Sequence, residues 1–245
     1  MRTGIILLFS LLLTLLSGCA TLGERDDTAG WSVERFHEEA RRALDQNDFE
    51  RAISLYEGLE ARYPYHPLAQ QAQIDTAYVY YRNDEPEAAI AAAERFIRLH
   101  PRHEHVAYAY YLRGLATFDE GSFLLNLFGE DPTQRDPLMA RRSFDYFREV
   151  AERFPDSRYA QDAIQRMLHL RNRLAEHELH VARYYQNRSA WLAAANRARF
   201  VVEHYQQSPA VFDALEIMVS AYTEMGLDDL AEDARRVLRM SQAKE

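Results

Sequence analysis

The sequence predicts an all-α protein, a right-handed α-solenoid of about five helix–turn–helix repeats. Three observations predict it. First, small or apolar residues fall at Phe49, Ala52, Ile53, Tyr56, Leu59 and Tyr63, a spacing of three and four that draws one stripe along a helix and ends at Pro64. Second, the stripe returns: at Pro86, Ala89, Ile90, Ala93, Phe96 and His100 before Pro101, at Ala140, Ser143, Phe144, Phe147, Val150 and Phe154 before Pro155, and at Trp191, Ala194, Ala195, Ala198, Val201 and Tyr205. A weaker copy runs Asp228, Ala231, Glu232, Arg235, Leu238. Third, 245 residues hold only 9 glycines and 8 prolines, which leaves little room for long structureless tracts. No single unit of this size can bury its stripe alone, so the copies must stack.

The chain opens on Met1-Arg2-Thr3, a short positive start, followed by an apolar run from Ile5 to Leu16. That run suits a signal peptide and is short for a membrane span. Leu16-Ser17-Gly18-Cys19 closes it, and this motif resembles a bacterial lipoprotein signal, cleaved before Cys19 and lipidated there. Residue Ala20 is not the aspartate that marks inner-membrane retention in such lipoproteins, so the expected place is the periplasmic face of an outer membrane. Two or more acyl chains hold a protein stably on a membrane. The expected organisation is a signal peptide over 1–18, a lipidated flexible tether over 19–31 and a solenoid over 32–245. Its N-terminal repeats cover about 32–155 and its C-terminal repeats about 156–245.

Ser32 is placed to cap a first helix carrying Phe36, Ala40, Ala43 and Leu44, and Asn47-Asp48 turns the chain into the striped helix. This is a helix–turn–helix of tetratricopeptide type, with small residues at Ala40 and Ala52 where the helices approach. The second repeat runs from Pro67 to His100 and turns at Asn83-Asp84. The third pairs a helix near Val106–Asp119 with one over Pro137–Phe154, and Asp136-Pro137 supplies a cap and first turn. The fourth places its second helix near Ser189–Tyr205. The fifth pairs Ala210–Met225 with Asp228–Met240 across Gly226.

Two spacings exceed the usual period of roughly 34 residues. The first surplus is a loop, GSFLLNLFGEDPTQRD over Gly121–Asp136, too apolar for a mere spacer and read either as a partner site or as a loop folded on its own repeat. The second lies between Ser157 and Arg188, with no glycine or proline, and predicts one long helix that outruns its partner and exposes a flank.

Net charge is −9, which argues against a nucleic-acid binder held by phosphate contacts. His100, His103 and His105 cluster but have only Glu104 close by, and His177 and His180 are three apart rather than the four of a zinc helix. No GxSxG, Gly-rich phosphate loop or nucleophilic cysteine is present, so neither metal, cofactor nor enzymatic activity is expected.

Four segments carry a family resemblance. They are Arg62-Tyr63-Pro64 with Gln70-Gln71; Glu94 through Pro101 (ERFIRLHP); Tyr111-Leu112-Arg113-Gly114-Leu115 with Phe128-Gly129, Asp131 and Arg135-Asp136-Pro137; and Tyr184-Tyr185 with Ala190-Trp191 and Asn196-Arg197. Together they are similar to the BamD (ComL) family, the tetratricopeptide lipoprotein of the outer-membrane β-barrel assembly machinery. The departures are Gln206, where the family has a proline after Tyr205, and a variable stretch before Phe128. The resemblance implies a non-catalytic scaffold that docks the periplasmic domains of the β-barrel insertase (BamA-like). It also implies contacts with accessory lipoproteins and unfolded outer-membrane proteins. It assigns Arg197, Asn196 and Trp191 to the insertase contact, Tyr63 and Tyr65 to substrate, and Phe128, Gly129, Asp131, Arg135 and Asp136 to a partner or structural loop.

Tyr63 reads equally as a core aromatic, since His100, Phe154 and Tyr205 stand at its equivalent positions. Arg197 sits at the margin of its helix's inward stripe. As an interface residue its loss should weaken insertase binding and spare the melting temperature; as a local salt bridge, the reverse. Two other function classes stand beside the scaffold. A different periplasmic tetratricopeptide lipoprotein, such as a pilotin for a secretin, is expected to lack the FGxDxxxRDP insert and the Trp191…Asn196-Arg197 pairing. An enzyme would need a reaction centre.

Overall fold

The structure, a computed structural model, describes residues 27–118 and 137–243. Cys19, Phe128, Gly129, Asp131, Arg135 and Asp136 lie outside them. Among the described residues ten helices run in order: α1 (Val33–Asp45), α2 (Phe49–Arg62), α3 (Pro67–Arg82), α4 (Pro86–Leu99), α5 (Val106–Thr117), α6 (Pro137–Arg153), α7 (Ala160–Gln186), α8 (Trp191–His204), α9 (Ala210–Glu224) and α10 (Asp228–Gln242). Each helix packs on the next, and first helices of neighbouring repeats touch at α1/α3, α3/α5 and α7/α9. The result is an all-α tetratricopeptide solenoid of five helix pairs.

The turns inside the pairs repeat one physical solution. Asn47, Asp84, Ser189 and Gly226 all adopt the left-handed conformation, with φ of 57° in the first three and 70° in the glycine. The residue after each donates its N–H back across the helix end, Asp48 to Ala43 O at 2.9 Å, Glu85 to Tyr80 O at 3.0 Å, Ala190 to Tyr185 O at 3.0 Å and Leu227 to Tyr222 O at 2.9 Å. These are Schellman bonds that satisfy carbonyls the helix leaves free. Three polar residues and a glycine fill the positions because few others tolerate positive φ. Ser32 and Asp48 cap α1 and α2, accepting from Arg35 N and Arg51 N at 3.3 Å each.

The joints between repeats also recur. Tyr63, His100, Phe154 and Tyr205 follow their helices, and their carbonyls accept from His66, His103, Ser157 and Ser208 at 2.8–3.1 Å. In the first repeat the Tyr63 hydroxyl donates to Trp31 O at 2.6 Å, and its ring meets Phe36 edge-on at 6.5 Å. Trp31 lies 5.3 Å from Phe36, with the Arg35 guanidinium over its indole, and Arg62 donates to Thr28 O. Residues 28–31, read from sequence as the end of a flexible tether, are therefore tied to the first repeat by aromatic packing and two hydrogen bonds.

Between the second and third repeats, Arg113 is buried. It bonds Glu149 at 2.8 Å, faces Glu94 at 3.8 Å and lies between the rings of Tyr110 and Tyr146. Next to it Gly114 brings α5 against α6 so closely that a Cβ there would stand 2.6 Å from the fully buried Phe147 ring.

At 27 residues, α7 is about 40 Å long and nearly twice the 14-residue α8. The length lets it serve two cores. Leu170 and Leu174 pack with Tyr111, Phe147 and Val150 of the third repeat. Ala175, Leu179 and Ala182 pack with Ala194, Ala198, Val201 and Ala214 of the last two. Ile164, Leu168 and Tyr184 remain exposed along its outer flank.

Candidate functional site

Where α7 passes from one core to the other, its buried face carries a charge. Glu178 falls in the apolar register of Leu170, Leu174 and Ala182, and its side chain is 5% exposed. It is matched from both sides. Arg141 of α6 donates Nη2 to Oε1 at 3.2 Å, and Arg197 of α8 donates Nη1 to Oε2 at 2.9 Å. A buried carboxylate without such partners would cost several kcal/mol. Both arginines are about half exposed, 50% and 48%, so each serves the carboxylate while part of its side chain remains open to solvent. One negative charge thus holds two outward-facing guanidinium groups across three helices.

The placement of Arg197 follows from its helix. Ala194, Ala195, Ala198 and Val201 form the buried stripe of α8, and Arg197 stands at its margin. Both readings of Arg197 from sequence meet here, because the residue has an internal partner and an exposed edge. Its removal now touches stability as well as any contact outside, since Glu178 would be left with one partner.

The other two residues assigned to the same contact do not gather around it. Trp191 is part-buried among Ala195, Ala221, Tyr222, Ala231 and Ala234, joining the fourth repeat to the fifth. It is six residues from Arg197, about 120° away around the helix. Asn196 is exposed and accepts from Arg199 Nη2 at 3.1 Å. At the other end of the chain, Tyr63 closes the first repeat as described above, whereas Tyr65 is 95% exposed in the turn before α3. Of that pair, Tyr65 alone offers an open ring. Among the histidines, His103 packs 5.2 Å from Phe96 and lies beside His105 and His100. Desolvation first, then the two neighbouring imidazoles, lower its pKa from the ordinary 6.5.

Sequence reasoning missed Glu178 and Arg141. The signal was an acid in an apolar stripe with period four along α7, legible only if the helix is known to be covered on that face at that turn. Along the same surface lies a cleft of about 350 Å³ between α6, α7 and α8, lined by Arg141, Phe144, Arg171, Leu174, Phe200 and His204 among others.

A family model for YfiO, described as an outer membrane lipoprotein, matches residues 31–238. The chain is 47% identical over 228 residues to the outer membrane protein assembly factor BamD of Neisseria meningitidis serogroup A, covering 91% of this chain and 85% of that protein. It is 37% identical over 226 residues to the protein of the same name from Xylella fastidiosa, covering 92% and 77%. Against that from Vibrio cholerae it is 36% identical over 232 residues, covering 94% and 95%.

Proposed function

The chain belongs to the YfiO family of outer membrane lipoproteins, and on that premise we propose that it is the helical scaffold of outer-membrane protein assembly, docking the β-barrel insertase. It works by binding. Its solenoid presents surfaces from successive repeats, as stacked helix pairs do. The observation that carries the reading is the buried Glu178 with Arg141 and Arg197 held half-exposed on it. Two pre-positioned guanidinium groups are ready donors for a partner's carboxylate, because they are already ordered in the folded chain.

In this reading the insertase's periplasmic domains meet the C-terminal repeats at Arg197, with Asn196 beside it and Trp191 setting the angle of the fifth repeat. Tyr65 receives unfolded outer-membrane proteins at the N-terminal repeats, with Tyr63 holding the turn that presents it. We assign Phe128, Gly129, Asp131, Arg135 and Asp136 to a partner contact or a structural role. Cys19 carries the lipid, and the solenoid lies on the periplasmic face of the outer membrane.

The test is purification of the tagged chain from detergent-solubilised membranes. The insertase should co-elute from cells carrying the wild-type chain and be depleted for Arg197→Glu. Substituting Cys19→Ser should move the chain to the soluble fraction when the insertase is absent. Recovery of a secretin in place of the insertase would overturn the reading.

A further inference from the structure

The cleft beside the arginine pair is floored by Leu174 of α7 and walled by Phe144 of α6 and by Phe200 and Tyr205 at the end of α8. Two arginines, Arg141 and Arg171, line it with His204 of α8 and a single acid, Asp145. Arg197, Phe200 and His204 are three and four residues apart, so they share one face of α8, and the arginine surface runs directly into the cleft.

The acids on the same walls are already engaged. Glu178 is shared by two arginines, and Asp145 pairs with Arg148 at 2.8 Å. Arg171 is anchored, donating to Gln207 O at 2.9 Å and Gln207 Oε1 at 2.7 Å. The His204 ring stacks on Phe200 with centroids 4.0 Å apart and planes 20° apart. In a chain of net charge −9, this patch of three arginines around an apolar hollow has the opposite sign to the molecule as a whole. Charge complementarity therefore selects an acidic partner segment and steers it here rather than elsewhere on the surface.

Resting on the reading that Arg197 contacts the insertase, we propose that this cleft is the specificity pocket of that contact: it takes a partner segment bearing an aromatic or branched aliphatic side chain beside a carboxylate. The carboxylate sits on Arg141 and Arg197. The apolar side chain enters between Phe144 and Phe200, where it is desolvated against Leu174. The volume is at the small end of ligand-sized cavities, enough for one side chain rather than a peptide's length.

The experiment titrates the full mature chain carrying Cys19→Ser against the purified periplasmic domains of the insertase. Four forms are compared, the parent, Arg197→Ala, Phe200→Ala and His204→Glu, with a melting curve for each. His204 is exposed and its ring nitrogen lies 3.1 Å from the Phe200 carbonyl, so His204→Glu disturbs no buried group and folds even if Phe200→Ala does not. The expected result is a loss of affinity of tenfold or more in all three variants, with the His204→Glu melting temperature unchanged. A loss confined to Arg197→Ala overturns the pocket and leaves the arginine contact standing. No loss in Arg197→Ala overturns the underlying reading and the pocket with it.

Discussion

Removing Arg197 should destabilise the junction of the third and fourth repeats, and a second substitution should restore it. Glu178 is 5% exposed and bonded at 2.9 Å and 3.2 Å. Breaking a fully buried ion pair costs about 3–5 kcal/mol. Here both guanidinium groups are half in solvent and Arg141 stays in place after Arg197→Ala, so we expect about 1–2 kcal/mol. For a solenoid of this size that corresponds to a fall of about 3–6 °C in melting temperature. Glu178→Gln alone removes the buried charge and frees two arginines that water can serve, so it should cost about 0–1 kcal/mol. The double variant leaves no orphaned carboxylate. It should be no less stable than Arg197→Ala, giving a coupling of about 1 kcal/mol in a double-mutant cycle. The assay is thermal and urea unfolding of the four forms by far-ultraviolet circular dichroism. Additive single effects would refute the argument that Arg197 neutralises Glu178.

Three further outcomes are expected. Gly114→Ala should destabilise by about 1–2 kcal/mol, because the clash with the enclosed Phe147 ring outweighs the gain of about 1 kcal/mol in helix propensity; chemical denaturation reads it. Tyr63→Phe should lose the hydroxyl bond to Trp31 O and about 0.5–1.5 kcal/mol of stability, while Tyr65→Ala should leave the melting temperature alone and weaken binding of an unfolded outer-membrane polypeptide measured by anisotropy. Stability should also fall as pH drops below about 6.5. The pKa of His103 is lowered by desolvation, His105 and His100, and that of His169 by desolvation, Arg173 and Arg166, so the unfolded chain binds more protons than the folded one there. The contribution is intact above the ordinary imidazole value, and His103→Gln with His169→Gln should flatten the profile of melting temperature between pH 7 and 5.

Much of the architecture was legible because it is made of local rules. The stripes of α2, α4, α6 and α8 are periodic, Asn47, Asp84 and Gly226 stand where the turns need positive φ, and α7 has nothing to break it between Ala160 and Gln186. Helix starts were less sharp. Ser189 was read as the beginning of α8, but it occupies the left-handed position of the turn, two residues earlier.

What the pattern could not show was long-range. The docking of Thr28 and Trp31 on the first repeat depends on Arg62 and Tyr63, more than thirty residues away. The motif Tyr111-Leu112-Arg113-Gly114 looked like a family signature, and its residues prove to be structural. Tyr111 stacks on Tyr159 and bonds Asp162, Arg113 ties Glu149, and Gly114 admits Phe147. Glu178 was hidden for the opposite reason. A single charge in an apolar stripe is an exception to the period, and its two partners lie 37 and 19 residues off in sequence.

The central claim is that the chain engages the insertase through the arginines held on Glu178. The most direct measurement is isothermal titration of the soluble chain into the insertase's periplasmic domains, comparing the parent with Arg197→Lys. Lysine keeps the charge and loses the planar fork that serves Glu178 and a partner carboxylate together. Binding should weaken by about tenfold while the complex still forms. Equal affinity in the two forms, or no binding by the parent, would contradict it.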